Sequence, residues 1–128
     1  MRSYAFYRIM SNKLWIYGVK FRDIGIKVVK VIKDSTGFDE NTIDGCGLFL
    51  DLFSGSGGIG IEALSRGAKS ATLVDYSAVS TKIIKTNVEN CGFEDRVSII
   101  QSDYAAFCAM CTDMFDVVFL DPPYNAGF

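Results

Sequence analysis

From Leu48 onward the chain alternates short apolar runs with helical patterns, and few architectures can accommodate that spacing. Leu48–Phe53, Ser70–Val74, Val97–Ile100 and Phe115–Leu120 read as strands, and Gly58–Arg66, a segment opening at Ser77, and Tyr104–Thr112 read as helices. The apolar runs lack the polar-apolar alternation of a strand with one wet face, so they belong in a parallel sheet buried on both sides. Strand–helix repetition at this spacing means right-handed βαβ crossovers with helices on both faces. The expected fold class is α/β, with a mostly parallel, Rossmann-like sheet.

Local signals support the elements. Gly67 stops the first helix, and Ser77 is an N-cap for a helix with Val79, Ile83, Ile84 and Val88 inward, ending at Cys91-Gly92. Before residue 34 the chain reads as β-rich, over Ser3–Met10, Leu14–Lys20 and Gly25–Ile32. Asp34–Gly47 holds turn formers and acids and reads as a linker. Residues 1–46 are therefore expected to form a small N-terminal arm, and residues 47–128 the βα body.

Charge divides along the same line. Arg2, Arg8, Lys13, Lys20, Arg22, Lys27, Lys30 and Lys33 face only Asp23, a net charge of +7 over residues 1–33, against −9 over the rest. The 128 residues suffice for one domain, and no apolar run approaches a membrane span, so a cytoplasmic protein is expected. Cys108-Ala109-Met110-Cys111 has redox-motif spacing, but no second such pair and no histidine accompany it, so the cysteines read as apolar filler and no metal site is expected. Without histidine, Ser-His-Asp and Cys-His mechanisms are excluded within these residues.

Asp51-Leu52-Phe53-Ser54-Gly55-Ser56-Gly57-Gly58-Ile59-Gly60 sets a Gly-x-Gly-x-x-Gly pattern directly after a strand and into a helix. Glycine permits the tight turn and a close approach of backbone to ligand, with helix N–H groups facing it. Asp75 ends the next strand, where a carboxylate can accept both hydroxyls of an adenosine ribose. Asp51 would repel a pyrophosphate but tolerates an α-amino group and a sulfonium, which favours S-adenosylmethionine over a dinucleotide. Asp103, after the third strand, can accept from an adenine amino group, cap the following helix, or do both. Phe53 and Tyr76 complete the expected cofactor-binding set of Asp51, Phe53, Gly55, Gly57, Asp75, Tyr76 and Asp103.

Asp121-Pro122-Pro123-Tyr124 follows the last apolar run. Two successive prolines remove two N–H donors and fix two φ angles, so the loop is stiff. Two oxygen acceptors beside an aromatic ring suit the exocyclic amino group of a planar base, and a dehydrogenase needs no such sequence.

Asp51–Ala68, Val74-Asp75, Ser102-Asp103 and Phe119–Tyr124 resemble the RsmD family of bacterial ribosomal RNA methyltransferases, over about residues 47–127. The resemblance implies a class I S-adenosylmethionine-dependent methyltransferase that modifies guanine N2 in small-subunit (16S) ribosomal RNA. It implies that Asp51, Gly55 and Gly57 line the methionine end of the cofactor, that Asp75 holds the ribose and that Asp103 holds the adenine amine. Asp121, Pro122 and Tyr124 are implied as the catalytic residues at the target base. The family's Arg-Pro-Thr element has no counterpart, since both prolines lie in the Asp121 loop. Family members also continue past the equivalent of Tyr124, so the C-terminal part is expected to be incomplete. That would leave the strand at Phe115–Leu120 with an open edge through which the chain could self-associate.

Tyr4, Phe6, Tyr7, Trp15, Tyr17 and Phe21 interleave with the basic residues of the arm. Such a surface can neutralise phosphates and stack bases of ribosomal RNA, free or in a small-subunit assembly intermediate, or its aromatics can pack on the body. Two other functions remain open from sequence: an adenine-N6 DNA methyltransferase, and a non-catalytic remnant that binds cofactor or RNA.

Overall fold

The computed structural model describes the backbone of residues 8–10, 13–16, 19–20 and 28–32, and backbone with side chains for residues 41, 43–111 and 115–120. Three short strands, β1 (Arg8–Met10), β2 (Lys13–Ile16) and β3 (Val19–Lys20), form an antiparallel sheet in sequence order. The second sheet holds β4 (Val28–Ile32), β5 (Leu48–Asp51), β6 (Ser70–Asp75), β7 (Val97–Gln101) and β8 (Phe115–Phe119), in the order β4-β8-β5-β6-β7. Every pairing in it is parallel. Three helices, α1 (Gly58–Ser65), α2 (Ala78–Cys91) and α3 (Tyr104–Met110), connect its strands.

The helices divide between the faces because the crossovers reverse direction. From β5 the chain steps outward through α1 to β6 and through α2 to β7, then returns through α3 to β8 on the other side of β5. Right-handed crossovers running in opposite directions place their helices on opposite faces. Accordingly Ala63 and Leu64 of α1 and Ile84 and Val88 of α2 pack with Phe49, Leu73, Val117 and Phe119. Cys108 and Phe107 of α3 pack with Leu50, Val74 and Val118 on the other side. This is the expected α/β, Rossmann-like architecture, a parallel sheet with helices on both faces.

Gly60 sets the approach of α1 to the sheet. A Cβ there would collide with the Leu73 side chain on β6, so only glycine lets the helix lie this close. At the opposite end of β5, the Asp116 carboxylate on β8 accepts from the N–H groups of Gly47 and Leu48 at 2.8 and 2.9 Å. This fork satisfies two donors before the ladder begins and pins the register of β5 against β8.

Three expectations change. The strand at Phe115–Leu120 is not an edge: β4 pairs with β8 from Val28↔Phe115 to Ile32↔Phe119, so the described edges are β4 and β7. The sheet therefore reaches across the expected boundary at residue 46 and recruits a strand from the basic segment. On α2, Ile84 and Val88 are buried, but Val79 and Ile83 are 68% and 45% exposed. At 100° per residue Val79 and Ile83 form a second stripe, rotated from the one that meets the sheet.

Ser77 caps α2 by accepting from the Ser80 N–H, and Gly92 ends it in the left-handed conformation, as expected. Cys108 lies wholly within the α3-side core, and burial, aided by Cys111 and Asp103, pushes its thiol up to about 12. A thiol so disposed is inert filler, not a redox centre. Among the described residues no helix is long and apolar enough to cross a membrane.

Candidate functional site

The crossover reversal creates a switch point between β5 and β8, at the carboxyl ends of the strands, where open α/β sheets bind ligands. Pairing fixes which residues arrive there: Asp51 lies opposite Leu73 and Phe119, and Asp75 opposite Gln101. Asp51 is buried; its Oδ1 accepts from the Phe53 N–H at 3.1 Å and its carbonyl from Ser54 Oγ at 3.0 Å. The first carboxylate therefore bends the chain out of β5, which is why the strand ends at Asp51 and not at Phe53.

The glycine loop is then tied to β6. The Ser54 N–H donates to the Val74 carbonyl at 2.9 Å, and the Gly57 N–H closes a turn onto the Ser54 carbonyl at 2.8 Å. Gly55 and Gly57 carry φ of 57° and 83°, a left-handed backbone that side chains disfavour, and nothing lies within 4 Å of where a Gly55 Cβ would project. Asp75 is the central clasp. Its Oδ2 accepts from the Gly55 N–H at 2.8 Å, and its Oδ1 from the Ser77 N–H at 2.9 Å, linking the loop to the start of α2.

The third loop joins through the Ser102 N–H, which donates to the Asp75 carbonyl at 3.0 Å. Asp103 is exposed and caps α3, its Oδ1 accepting from the Ala106 N–H at 2.7 Å. Of its two sequence roles the structure displays the cap. The Phe53 ring packs at 5.5 Å on Tyr104, whose hydroxyl is pushed above its ordinary pKa by burial, then by Asp103 and Cys108. Tyr76 is 79% exposed beside Asp75.

Asp51, Phe53, Gly55, Gly57, Asp75, Tyr76 and Asp103 thus converge on one sheet edge from three successive strand ends. Three carboxylates without an intervening basic residue in these loops suit a cationic ligand better than a polyphosphate. Leu120 brings the chain to this same edge; Asp121, Pro122 and Tyr124 lie outside the described residues. Sequence reasoning missed Asn87, whose side-chain amide on α2 donates to the Ser56 carbonyl at 2.9 Å. An asparagine on a helix face carries no signal for a contact across 31 positions. Among the described residues no acidic or cysteine cluster could hold a metal ion.

Residues 36–128 match the family described as Conserved hypothetical protein 95. The chain is 40% identical to Ribosomal RNA small subunit methyltransferase D of Escherichia coli K12, over 61% of this chain and 39% of that protein. It is 31% identical to an uncharacterized methylase of Rickettsia prowazekii, over 69% of this chain and 54% of the relative. Among solved structures, a conserved hypothetical protein of Streptococcus pyogenes superposes with a TM-score of 0.59 at 42% identity, covering 61% of this chain and 49% of that one. The chain spans about half, or less, of the length of these relatives.

Proposed function

The chain belongs to the Conserved hypothetical protein 95 family, which is RsmD-like, and on that premise we propose that it acts in S-adenosylmethionine-dependent methylation of ribosomal RNA. The target proposed is an exocyclic base amine, guanine N2 of the small-subunit RNA. The observation that carries the reading is the alignment of Asp51, the glycine loop, Asp75 and Asp103 along the carboxyl ends of β5, β6 and β7, with Leu120, the residue before Asp-Pro-Pro-Tyr in the sequence, reaching the same edge from β8.

The residues fit the cofactor by their chemistry. The open side of Gly55 leaves room for a ligand against the backbone, and the acidic edge suits a sulfonium and an α-amino group. Each Asp75 oxygen accepts one backbone N–H and keeps a second lone pair for a ribose hydroxyl. In this reading Asp51, Gly55 and Gly57 face the methionine end, Asp103 the adenine amine, and Phe53 and Tyr76 flank the base. S-adenosylmethionine supplies an electrophilic methyl group when bound.

The chain's own part is positioning and electrostatics. The Asp121 carboxylate and the Pro122 carbonyl accept the two N–H groups of the target amine and aim its nitrogen lone pair, while Tyr124 stacks on the extruded base. No strong base is required, because the nitrogen loses its proton readily once it is methylated.

Methyl transfer from radiolabelled S-adenosylmethionine to total ribosomal RNA tests the proposal. The wild-type protein is expected to label small-subunit RNA, and Asp121→Ala to lose labelling while binding S-adenosylhomocysteine within about twofold of wild type. Labelling of DNA alone, or loss of cofactor affinity in parallel with transfer, overturns the assigned roles.

A further inference from the structure

We propose that Asn87 is a positioning residue for the glycine loop, holding the Ser56–Gly57 peptide from α2 in the orientation that presents the start of α1 to a ligand. The inference rests on the cofactor reading above. Its first support is the bond itself, Asn87 Nδ2 to the Ser56 carbonyl at 2.9 Å, which joins α2 to a loop 31 residues away. Its second is packing by the same helix: Ile84, nearly one turn earlier and wholly buried, lies against Gly57, where a Cβ would stand 3.2 Å from Ile84 Cγ2. Helix α2 therefore holds two consecutive loop residues.

The third support concerns the peptide plane. Its carbonyl is bound by Asn87, and its N–H, that of Gly57, donates to the Ser54 carbonyl at 2.8 Å. Both ends of one peptide are fixed, so rotating it breaks both bonds. Gly57, on one side of this peptide, resists such a rotation very little, because glycine populates both signs of φ. The Asp75 clasp acts on Gly55 and makes no bond to this peptide. Without the Asn87 donor the Ser56 carbonyl turns to water and the peptide samples more than one orientation, so a ligand must order it on binding.

Calorimetric titration with S-adenosylhomocysteine, paired with amide hydrogen exchange of the ligand-free protein, tests this. Asn87→Ala is expected to weaken binding about threefold to tenfold, the worth of one hydrogen bond. Asn87→Asp, which sets a carboxylate against a carbonyl, weakens it further, and Asn87→Gln, which keeps the donor, recovers part of the loss. Exchange quickens at Gly57, whose N–H bonds the Ser54 carbonyl, while β5 and β6 amides keep their protection. Thr86→Ala is the control: it removes a side-chain bond to the Lys82 carbonyl within α2 and leaves binding unchanged. Wild-type affinity in Asn87→Ala and Asn87→Asp, unchanged exchange at Gly57, or an equal loss in Thr86→Ala overturns the proposal. If the wild-type protein binds no S-adenosylhomocysteine, the cofactor reading fails, and the exchange result still decides whether Asn87 holds the loop.

Discussion

Replacing Gly60 by alanine sets two physical effects of opposite sign against each other. Inside a helix, Gly→Ala gains about 0.8–1.0 kcal/mol of propensity. At this position the added methyl collides with Leu73 Cδ2 and stands 3.1 and 3.2 Å from Leu73 Cδ1 and Cγ. Leu73 is wholly buried in the core beneath α1, so its side chain has no open space into which to turn. Overpacking of this kind costs about 1–3 kcal/mol. With the collision this deep, a net destabilisation of about 1–2 kcal/mol is expected, a fall in Tm of roughly 4–8 °C for a chain of this size. Thermal and urea unfolding followed by circular dichroism measure it. In a Leu73→Ala background the obstruction is gone, and the same substitution is expected to stabilise. A Gly60→Ala protein that melts at or above wild type, or a substitution equally harmful in both backgrounds, refutes the argument that close helix–sheet contact fixes this glycine.

Arg96→Lys is expected to lower stability by about 1–2 kcal/mol in urea unfolding, because an ammonium cannot span the carbonyls of Leu64, Ala68 and Lys69 that the guanidinium reaches, or lie as well over Phe93. Stability is also expected to fall as pH rises from about 9 towards 12. In that window an unfolded chain releases the Cys108 proton while the folded chain, with the thiol pushed up to about 12, retains it, so folding binds a proton that rising pH withdraws. The urea midpoint measured across this window should drop less steeply in Cys108→Ala.

The strand–helix alternation and the loop chemistry were legible because each rests on local, repeating physics. Buried central strands must be continuously apolar, and a serine or glycine at a helix end satisfies groups within four residues. What escaped was set by long-range geometry. The Asp116 fork acts on Gly47 and Leu48 across 69 and 68 positions, and an aspartate in a strand gives no hint of its acceptors. Val79 and Ile83 were placed inward by their apolarity, but the sheet meets only the stripe through Ile84 and Val88. A strand was legible in Gly25–Ile32; that its described part, Val28–Ile32, lies beside β8 depends on which edge remains free once α3 has brought the chain back, and periodicity does not carry that information.

The pairing of β4 with β8 also sets an order of events during synthesis. Val28 finds its partner only when Phe115 has been made, and β5 waits similarly for Val117. At about 5–20 residues per second, β4 is exposed as an unpaired nascent segment for roughly 4–17 s before the strand that inserts between it and β5 exists. Contacts so distant in sequence are slow to close even in the finished chain. Among the described strands β8 is therefore the one that joins β4 to β5, and a nascent chain still lacking it would display β4 and the β5–β7 group unjoined to any chaperone or protease nearby.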